Sequence, residues 1–173
     1  MRIFTRGIPG LILLFAAGCV WEPYREVKRY DLAVPQVSAS IRLDAAEFQN
    51  RTGAGTNFIF RMPDHRIAED PDAKWILAPG ELIPRALNSG FPARKIQLRE
   101  YRMTGEVDRF GADVDRSEFV FAGTFRIFDQ EKEIFKERFR FAEPLAVQTP
   151  EAYVEAASKA VEALARRVNE VGQ

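Results

Sequence analysis

Cys19 is the residue whose position in this sequence most clearly predicts chemistry. It is the only cysteine among 173 residues, and the small residues Ala16, Ala17 and Gly18 immediately precede it. A thiol is more nucleophilic near neutral pH than any hydroxyl, and three small side chains allow an extended backbone to enter a peptidase cleft. The spacing therefore predicts a cysteine that is modified on its sulfur beside a cleavage point.

The segment before Cys19 has the pattern of a secretory signal peptide. Arg2 and Arg6 precede the apolar residues 8–17, which is the order of a charged n-region and an h-region of about 7–15 residues. A bilayer span needs about 20 apolar residues. The order resembles the bacterial lipobox, so we expect removal of residues 1–18 and a diacylglycerol and an N-acyl lipid on Cys19. The alternative is an ordinary secreted protein with a cysteine in its core.

The lipid on Cys19 would hold the mature protein at a membrane, because each buried methylene contributes about 0.8 kcal/mol. By resemblance to Gram-negative lipoproteins, an Asp directly after the cysteine often signals retention in the inner membrane. Val20 occupies this position. We therefore expect the periplasmic face of the outer membrane, with the inner membrane as the alternative.

No other residues form a recognisable catalytic or metal-binding pattern. His65, the only histidine, lies in the polar segment "MPDHRIAEDPD", which we predict to be a loop, and no recognisable motif supplies a nucleophile for it. Asp64, Asp70 and Asp72 do not follow the spacing of a calcium loop. The sequence has no GxSxG, phosphate-binding glycine loop or CxxC. We predict a protein that is not an enzyme and that has no metal or cofactor beyond the lipid on Cys19.

Composition and charge exclude one class of partner. The chain has 25 basic and 25 acidic residues, and residues 1–18 contain two of the basic ones and no acidic one. The mature chain then has a net charge of −2, which argues against a nucleic-acid partner. Fourteen phenylalanines, mostly in alternating patterns, indicate a β-sheet core. The alternative is that some of them line an apolar groove for an acyl chain or a partner segment.

The mature chain divides into a tether and one domain. Residues 19–36 contain Pro23, Pro35 and mixed charges, a composition that favours a lipidated linker. The remaining residues, 37–173, suffice for a single domain with its own core.

The first half of that domain is predicted to contain two strands and a short helix. Residues 37–43 place alternate apolar side chains on one face, and residues 57–62 form a second extended run after a glycine-rich loop. Residues 71–90 contain a helix that Gly90 closes. Pro84 should limit this helix to two or three turns, because proline lacks an amide donor and fits only the first turn.

The second half is predicted to contain a β-meander. Three extended runs cover residues 96–110, 117–129 and 133–141, and each is long enough to cross a small domain. Both faces of the middle run are partly apolar, which is typical of a strand in the interior of a sheet. The apolar residues that share its main face are Phe119, Phe121, Phe125 and Ile127.

The C-terminal segment predicts an amphipathic helix. Thr149 can cap it and Pro150 fits its first position. Its polar face has mixed charge, which favours packing on the sheet over coating a membrane. The overall prediction is an α+β fold, a single domain in which this helix and the short middle helix pack on a mixed or antiparallel sheet. The apolar stripe consists of Tyr153, Ala157, Val161, Leu164 and Val168.

The order of several stretches resembles the ABC-type transport auxiliary lipoproteins, the group that includes the paraquat-inducible protein C type. After the lipobox these stretches are "KRYDL", then "FQNRTGAGTNFIFRMPDHRIAEDPDAKWILAPGELIPRALNSGFP" with its aromatic-Arg pair Phe60-Arg61, then "YRMTGEVDRFGAD" and "ERFRFAEPLAVQTPEAYVEAASKAVEALARRV". The resemblance covers nearly all of the mature chain. It implies a mixed sheet with helices packed on it, and an accessory role beside a mammalian-cell-entry (MCE) domain protein and an ABC or membrane-embedded partner that move lipids across the envelope.

Two other functions compete with this hypothesis. One is a structural lipoprotein that resembles the lipopolysaccharide-assembly lipoproteins, and the other is a lipid-binding carrier that acts alone. For a transport accessory, we predict a partner-facing patch of Phe58, Phe60, Arg61 and Trp75, because aromatic and arginine side chains are enriched at interfaces. The alternative is that Phe58 and Phe60 face the core and that Arg61 pairs with an acidic neighbour.

Overall fold

A computed structural model describes residues 25–91 and 98–172 of the chain. The predicted signal peptide, Cys19 and the first part of the predicted tether lie outside the described residues. The described residues form one mixed sheet and two helices, and the predicted α+β fold is confirmed. In chain order the elements are β1 (Lys28–Tyr30), β2 (Arg42–Ala45), β3 (Gln49–Asn50), β4 (Asn57–Arg61), β5 (Ile67–Trp75), α1 (Pro79–Gly90), β6 (Glu100–Asp113), β7 (Glu118–Asp129), β8 (Lys132–Pro144) and α2 (Pro150–Val171).

The long strand β6 organises the sheet. On one side it pairs along its length with antiparallel β7, and β7 pairs with antiparallel β8. On its other side it pairs in succession with the parallel strands β2, β3 and β4. Strand β5 lies antiparallel to β4, and β1 lies parallel to β5. Both helices contribute to the same hydrophobic core on one face of the sheet, with α2 against β6, β7 and β8 and α1 against β2, β3 and β6.

The predicted meander is confirmed as β6, β7 and β8. The four apolar residues predicted on one face of β7 are fully or almost fully buried, and β7 has a strand on each side. In β6 the buried positions change parity, from Met103 and Val107 to Phe110 and Ala112. A β-bulge at Asp108 causes this change, because the extra residue returns the apolar side chains to the covered face.

The predicted C-terminal helix is confirmed as α2. The side chain of Thr149 accepts a hydrogen bond from the amide of Ala152, and Pro150 occupies the first turn. All five residues of the predicted apolar stripe are buried against the sheet. Neither helix that the structure describes is long and apolar enough to cross a bilayer.

Helix α1 has the predicted position and is about three turns long. Pro84 lies in its second turn, which corrects the expectation that proline fits only the first turn. Proline has no amide hydrogen, so Pro84 cannot donate the helical hydrogen bond to the Gly80 carbonyl. The amide of Phe48 donates to that carbonyl instead, at 2.9 Å. A Cβ on Gly80 would overlap the Phe48 carbonyl oxygen, so glycine permits this close approach. The chain after β2 thus supplies the hydrogen bond that the helix lacks.

The structure corrects the predicted tether, because residues 28–36 belong to the domain. After β1 the chain runs along α2 as a strap, which we define as residues 31–40. The Tyr30 hydroxyl donates to Glu151 at 2.8 Å, the Ala33 amide to Ser158 Oγ at 3.0 Å, and the Ser40 amide to Asn169 Oδ1 at 2.8 Å. Prolines and charges suggested a solvated linker, but Leu32 and Pro35 of the strap are buried.

Two strand boundaries also differ from the predictions. Ile41 and Leu43 are buried, and Val37 and Ala39 pack half-buried against the core, on the face predicted for them. Hydrogen-bonded β2 nevertheless begins only at Arg42, because its partner β6 begins at Glu100. The predicted loop around His65 is restricted to residues 62–66, and the following acidic segment is strand β5. Pro71 is tolerated there because residues 70–73 bulge out of register with β4, and Asp70 Oδ1 accepts from the amides of Asp72 and Ala73.

Candidate partner-binding surfaces

Strand β4 separates the residues of the predicted patch. Successive side chains of a strand point to opposite faces, so Phe58 and Phe60 lie on the covered face and Arg61 on the other. Phe58 is 2% exposed and Trp75 is 1% exposed, and Phe60 packs against Tyr153 of α2 with ring centroids 5.1 Å apart. The structure therefore corrects the hypothesis that these four residues form one surface patch. Only Arg61 is exposed.

The aromatic residues instead form a layer that crosses the sheet. Successive ring centroids lie 4.3–5.5 Å apart, the range in which aromatic pairs add about 0.5–1.5 kcal/mol each beyond burial. The layer joins all six strands of the main sheet path. Its rings, in the order in which they contact one another, are Tyr30, Phe58, Trp75, Phe110, Phe121, Phe139 and Phe141.

The layer leaves little internal space. A cavity between Phe58, Phe60, Trp75, Phe110 and Tyr153 has a volume of about 10 Å³. This is close to the space that one water molecule needs, and it is far below the volume of an acyl chain. The phenylalanines of the described residues that line this cavity therefore fill a core.

The opposite face of the meander is not covered by either helix. Register places Arg102 of β6 beside Phe128 of β7, and Arg126 of β7 beside Lys136 of β8. Lys136, Arg138 and Arg140 alternate along β8 and are all exposed. Thr104 lies beside Arg126, and Thr124 lies between Arg138 and Glu106, which pairs with Arg51. We call Arg102, Arg126, Lys136, Arg138 and Arg140 the cationic face.

Part of the charge on the cationic face is already paired. Arg126 contacts Glu133 at 3.7 Å, and Arg140 donates to Glu118 at 2.5 Å. The Arg102 guanidinium lies 4.6 Å from the ring centroid of Phe128. Within residues 25–91 and 98–172, no carboxylate oxygen lies within 4.0 Å of the charged groups of Arg102, Lys136 or Arg138. These three charges can therefore interact with an external anion.

Arg109 and Asp113 form an ion pair on the same side of the sheet, next to the cationic face. Asp113 is the only buried charged residue in the described part of the chain, with 6% exposure. Arg109 donates to it at 2.7 Å, and the amide of Arg116 donates at 3.3 Å. The hydrogen bond from Arg109, together with that amide, holds the pKa of the Asp113 carboxyl below its usual range. Arg109 is thereby committed to the fold and is less available to a partner.

Arg61 lies beside a small pocket on the same uncovered face. The pocket has a volume of about 70 Å³ and is lined in part by Ile59, Ile67 and Gly111. The sequence offered the alternative that Arg61 pairs with an acidic neighbour, but no carboxylate in the described ranges lies within 4.0 Å of its guanidinium.

Strand β8 leaves one edge of the sheet open. It is 13 residues long and pairs only with β7 among the described strands. An unpaired edge presents backbone amide and carbonyl groups to any extended segment, and proteins usually restrict such pairing with charged side chains. The cationic face extends onto this strand. The edge can therefore accept an extended segment whose side chains complement positive charge.

A groove of different character lies between the strap and α2. Its volume is about 550 Å³, and Leu32 and Val154 contribute apolar surface. Its rim includes Asp31, Glu151, Glu155 and Glu162 with one cation, Lys159. Burial and the hydrogen bond to Glu151 raise the pKa of Tyr30 to about 12, so this hydroxyl stays protonated and keeps donating to Glu151 at neutral pH.

His65 lies in the turn between β4 and β5, with a backbone φ of 66°. Histidine tolerates this conformation better than most residues other than glycine. In the described ranges, no three His, Cys, Asp or Glu side chains are grouped closely enough to share a metal ion.

Solved structures have the same fold. A crystal structure of an uncharacterized protein is 12% identical, with a TM-score of 0.67, and the match covers 84% of this chain and 98% of that chain. The crystal structure of protein XCC0632 from Xanthomonas campestris is 19% identical, with a TM-score of 0.60, and the match covers 87% and 91% of the two chains. At these identities the likeness concerns the fold alone. Among curated proteins, none matches this chain.

A family model matches most of the chain. Residues 28–169 match the family described as ABC-type transport auxiliary lipoprotein component. The match begins at β1 and ends in the last turns of α2, so it covers almost every element that the structure describes. It confirms the resemblance inferred from the order of the sequence stretches. The chain belongs to the family of ABC-type transport auxiliary lipoprotein components.

Proposed function

We propose that this protein is a non-catalytic accessory subunit of an ABC transport system that moves lipids across the envelope together with an MCE-domain protein. A diacylglycerol and an N-acyl lipid on Cys19 anchor it to the periplasmic face of the outer membrane. The MCE-domain protein binds the uncovered side of the meander and links it to the ABC or membrane-embedded partner. The family match supports the auxiliary role.

One observation carries the proposal for the contact surface. The cationic face and the open edge of β8 lie side by side, on the part of the sheet that neither helix covers. An added strand gains backbone hydrogen bonds at such an edge, and complementary charge fixes its register and speeds association. The expected partner segment is therefore extended and acidic.

The small core cavity supports a role in partner binding over lipid carriage. A carrier needs a pocket that encloses most of an acyl chain. The aromatic layer leaves about 10 Å³ between Phe58, Trp75 and Tyr153. The larger groove between the strap and α2 is open to solvent, and its rim carries four carboxylates. Accordingly, we assign the bound lipid to the transport partners and only the covalent anchor to this chain.

A charge reversal tests the contact surface. Arg138→Glu should weaken capture of the MCE-domain protein by about tenfold, which corresponds to about 1.4 kcal/mol. Arg29→Glu is the matched control, because Arg29 is also exposed but lies in β1 at the other end of the sheet path. Both variants should keep the wild-type melting temperature. Equal capture by the two variants would contradict the proposed surface.

A second experiment tests the anchor. Mass spectrometry of the mature protein should find a lipid-modified cysteine as the N-terminal residue. Cys19→Ser should leave an unprocessed or mislocalised precursor, because serine cannot supply the thiol. An unmodified thiol on a mature chain that begins elsewhere would remove the anchor from the account.

A further inference from the structure

Three connections meet at one end of the sheet, which we call the loop end. They are the turn 62–66 after β4, the turn 114–117 after β6 and the loop 145–149 after β8. Strands β4, β6 and β8 run in the same direction, so their last residues lie together. Hydrogen bonds join the connections, because the Val114 amide donates to the Arg61 carbonyl at 3.0 Å and the Leu145 amide to the Ser117 carbonyl at 2.8 Å.

The described chain begins beside the second half of β5, where Lys28 pairs with Ala73. Strand β5 starts at the loop end with Ile67, and β1 is parallel to β5, so residues 25–27 approach from the side of the loop end. Arg25 lies 3.7 Å from Asp72 in β5. Cys19 lies six positions before Arg25, and an extended chain over six positions reaches at most about 20 Å. A lipid anchor on Cys19 would therefore hold the loop end close to the bilayer.

The two most exposed aliphatic residues lie at this end. Among the large hydrophobic residues that the structure shows as exposed, Ile67 and Val147 have the largest exposure, 56% each, whereas Val34 in the strap is 46% exposed and Val27 before β1 is 39% exposed. Ile67 begins β5 and Val147 lies in the loop after β8, four strands away across the sheet. Ile134, 42% exposed, lies near the β7–β8 turn at the opposite end.

We propose that the loop end rests on the bilayer surface, with Ile67 and Val147 in the interfacial region of the lipid. This inference rests on the proposed anchor at Cys19. The charges near the turns are mixed, with Arg66 paired to Asp64, so the apolar side chains and the anchor supply the attraction. Each contact is weak alone, but the anchor makes it intramolecular and so raises its effective concentration.

The proposed orientation has a consequence for partner binding. The strands stand away from the membrane, and β7 alone spans about 40 Å from the loop end to the turn before β8. The cationic face and the edge of β8 are then presented sideways in the periplasm. A partner that rises from the same membrane, or crosses from the other one, can reach the whole edge without displacing the domain.

Introduced cysteines test the orientation, because the sulfur of the only native cysteine is blocked by lipid in the mature protein. Full-length lipidated protein carrying Ile67→Cys, Val147→Cys or the control Ile134→Cys is labelled with a fluorophore and placed in vesicles of phosphatidylethanolamine and phosphatidylglycerol. A spin-labelled phospholipid then serves as the quencher. We expect quenching at positions 67 and 147 to be several times stronger than at position 134. Melting temperatures show whether each variant is folded.

Three results would overturn the inference, and they can be distinguished. Equal quenching at all three positions, with Cys19 blocked, would overturn the orientation alone. Labels that are shielded only after addition of the MCE-domain protein would show that the loop end is a protein-binding surface. A second label on a free Cys19 and loss of vesicle association would overturn the anchor and, with it, both proposals.

Discussion

Two single residues, Phe121 of β7 and Leu164 of α2, have no exposed surface, and both belong to the core between helix and sheet. Phe121→Ala or Leu164→Ala should lower the unfolding free energy by about 2–5 kcal/mol, because each removes buried carbon and leaves a cavity. Denaturant unfolding measures the loss. Val34→Ala is the control and should change stability by less than about 0.5 kcal/mol, since Val34 is exposed in the strap. Losses below about 1 kcal/mol at both buried sites would contradict the packing.

Asp113 should make the unfolding free energy depend on pH. Its folded-state pKa lies below the ordinary value of 3.8, because Arg109 donates a hydrogen bond to it. A lowered pKa means that the carboxylate stabilises the fold above the unfolded-state pKa, and that this contribution is lost as the pH falls through the folded-state pKa. Asp113→Asn should therefore reduce the unfolding free energy by about 1–3 kcal/mol at neutral pH.

The difference between Asp113→Asn and the wild type should shrink once the pH falls below about 4. Denaturant unfolding of both proteins across neutral and acidic pH follows this change. A difference that stays constant over the range would show that the carboxylate contributes through shape alone.

Among the contacts between elements, the junction of α1 with the segment after β2 should affect stability. Glycine to alanine normally stabilises a helix by about 0.5–1 kcal/mol. At position 80 a Cβ would overlap the Phe48 carbonyl, next to the hydrogen bond that compensates for Pro84. Gly80→Ala should therefore destabilise the protein by about 1–3 kcal/mol, the range of overpacking.

Gly55→Ala is the matched control for Gly80→Ala. No heavy atom lies within 4 Å of the position of its added Cβ, so the change should be below about 0.5 kcal/mol. Thermal unfolding of the two variants shows whether each substitution stabilises or destabilises the protein. Stabilisation by Gly80→Ala would mean that helix propensity outweighs the contact with Phe48.

The elements that could be predicted from the sequence are those in which an apolar pattern continues over many residues. Three alternating runs were enough for the meander, and the stripe from Tyr153 to Val168 was enough for α2. The strap and the acidic strand β5 were missed, because their prolines and charges resemble those of loops. The strap is ordered by α2, far away along the chain, through contacts such as the hydrogen bond from the Ala33 amide to Ser158. Strand β5 is ordered by pairing with β4 and β1, and a bulge accommodates its proline.

The predicted patch shows a different limit. The segment around Phe58 was rightly predicted to be a strand, but sequence alone does not say which of its two faces is covered. The alternative stated for Phe58 and Phe60 is the arrangement found, and Trp75 joins Phe58 in the aromatic layer. The cationic face could have been found from the alternation of Lys136, Arg138 and Arg140 within a predicted strand. Its uncovered position depends on where both helices pack.

At the scale of the whole molecule, the sheet has two different faces. Both helices and the strap lie on the aromatic side, and the meander presents cations and an open edge on the other. A stable domain does not need that exposed edge, and we propose an MCE-domain protein as its partner. In the proposed orientation, the anchor and the loop end would place the edge upright beside the membrane.

Photocrosslinking in the native envelope tests directly whether the cationic face contacts an MCE-domain protein. A photoreactive amino acid replaces Arg138 on the cationic face, and in a matched protein it replaces Arg29 in β1. Mass spectrometry then identifies each adduct. We predict an adduct with an MCE-domain protein at position 138 and none at position 29. An adduct with an unrelated protein at position 138, or the same MCE adduct at both positions, would contradict it.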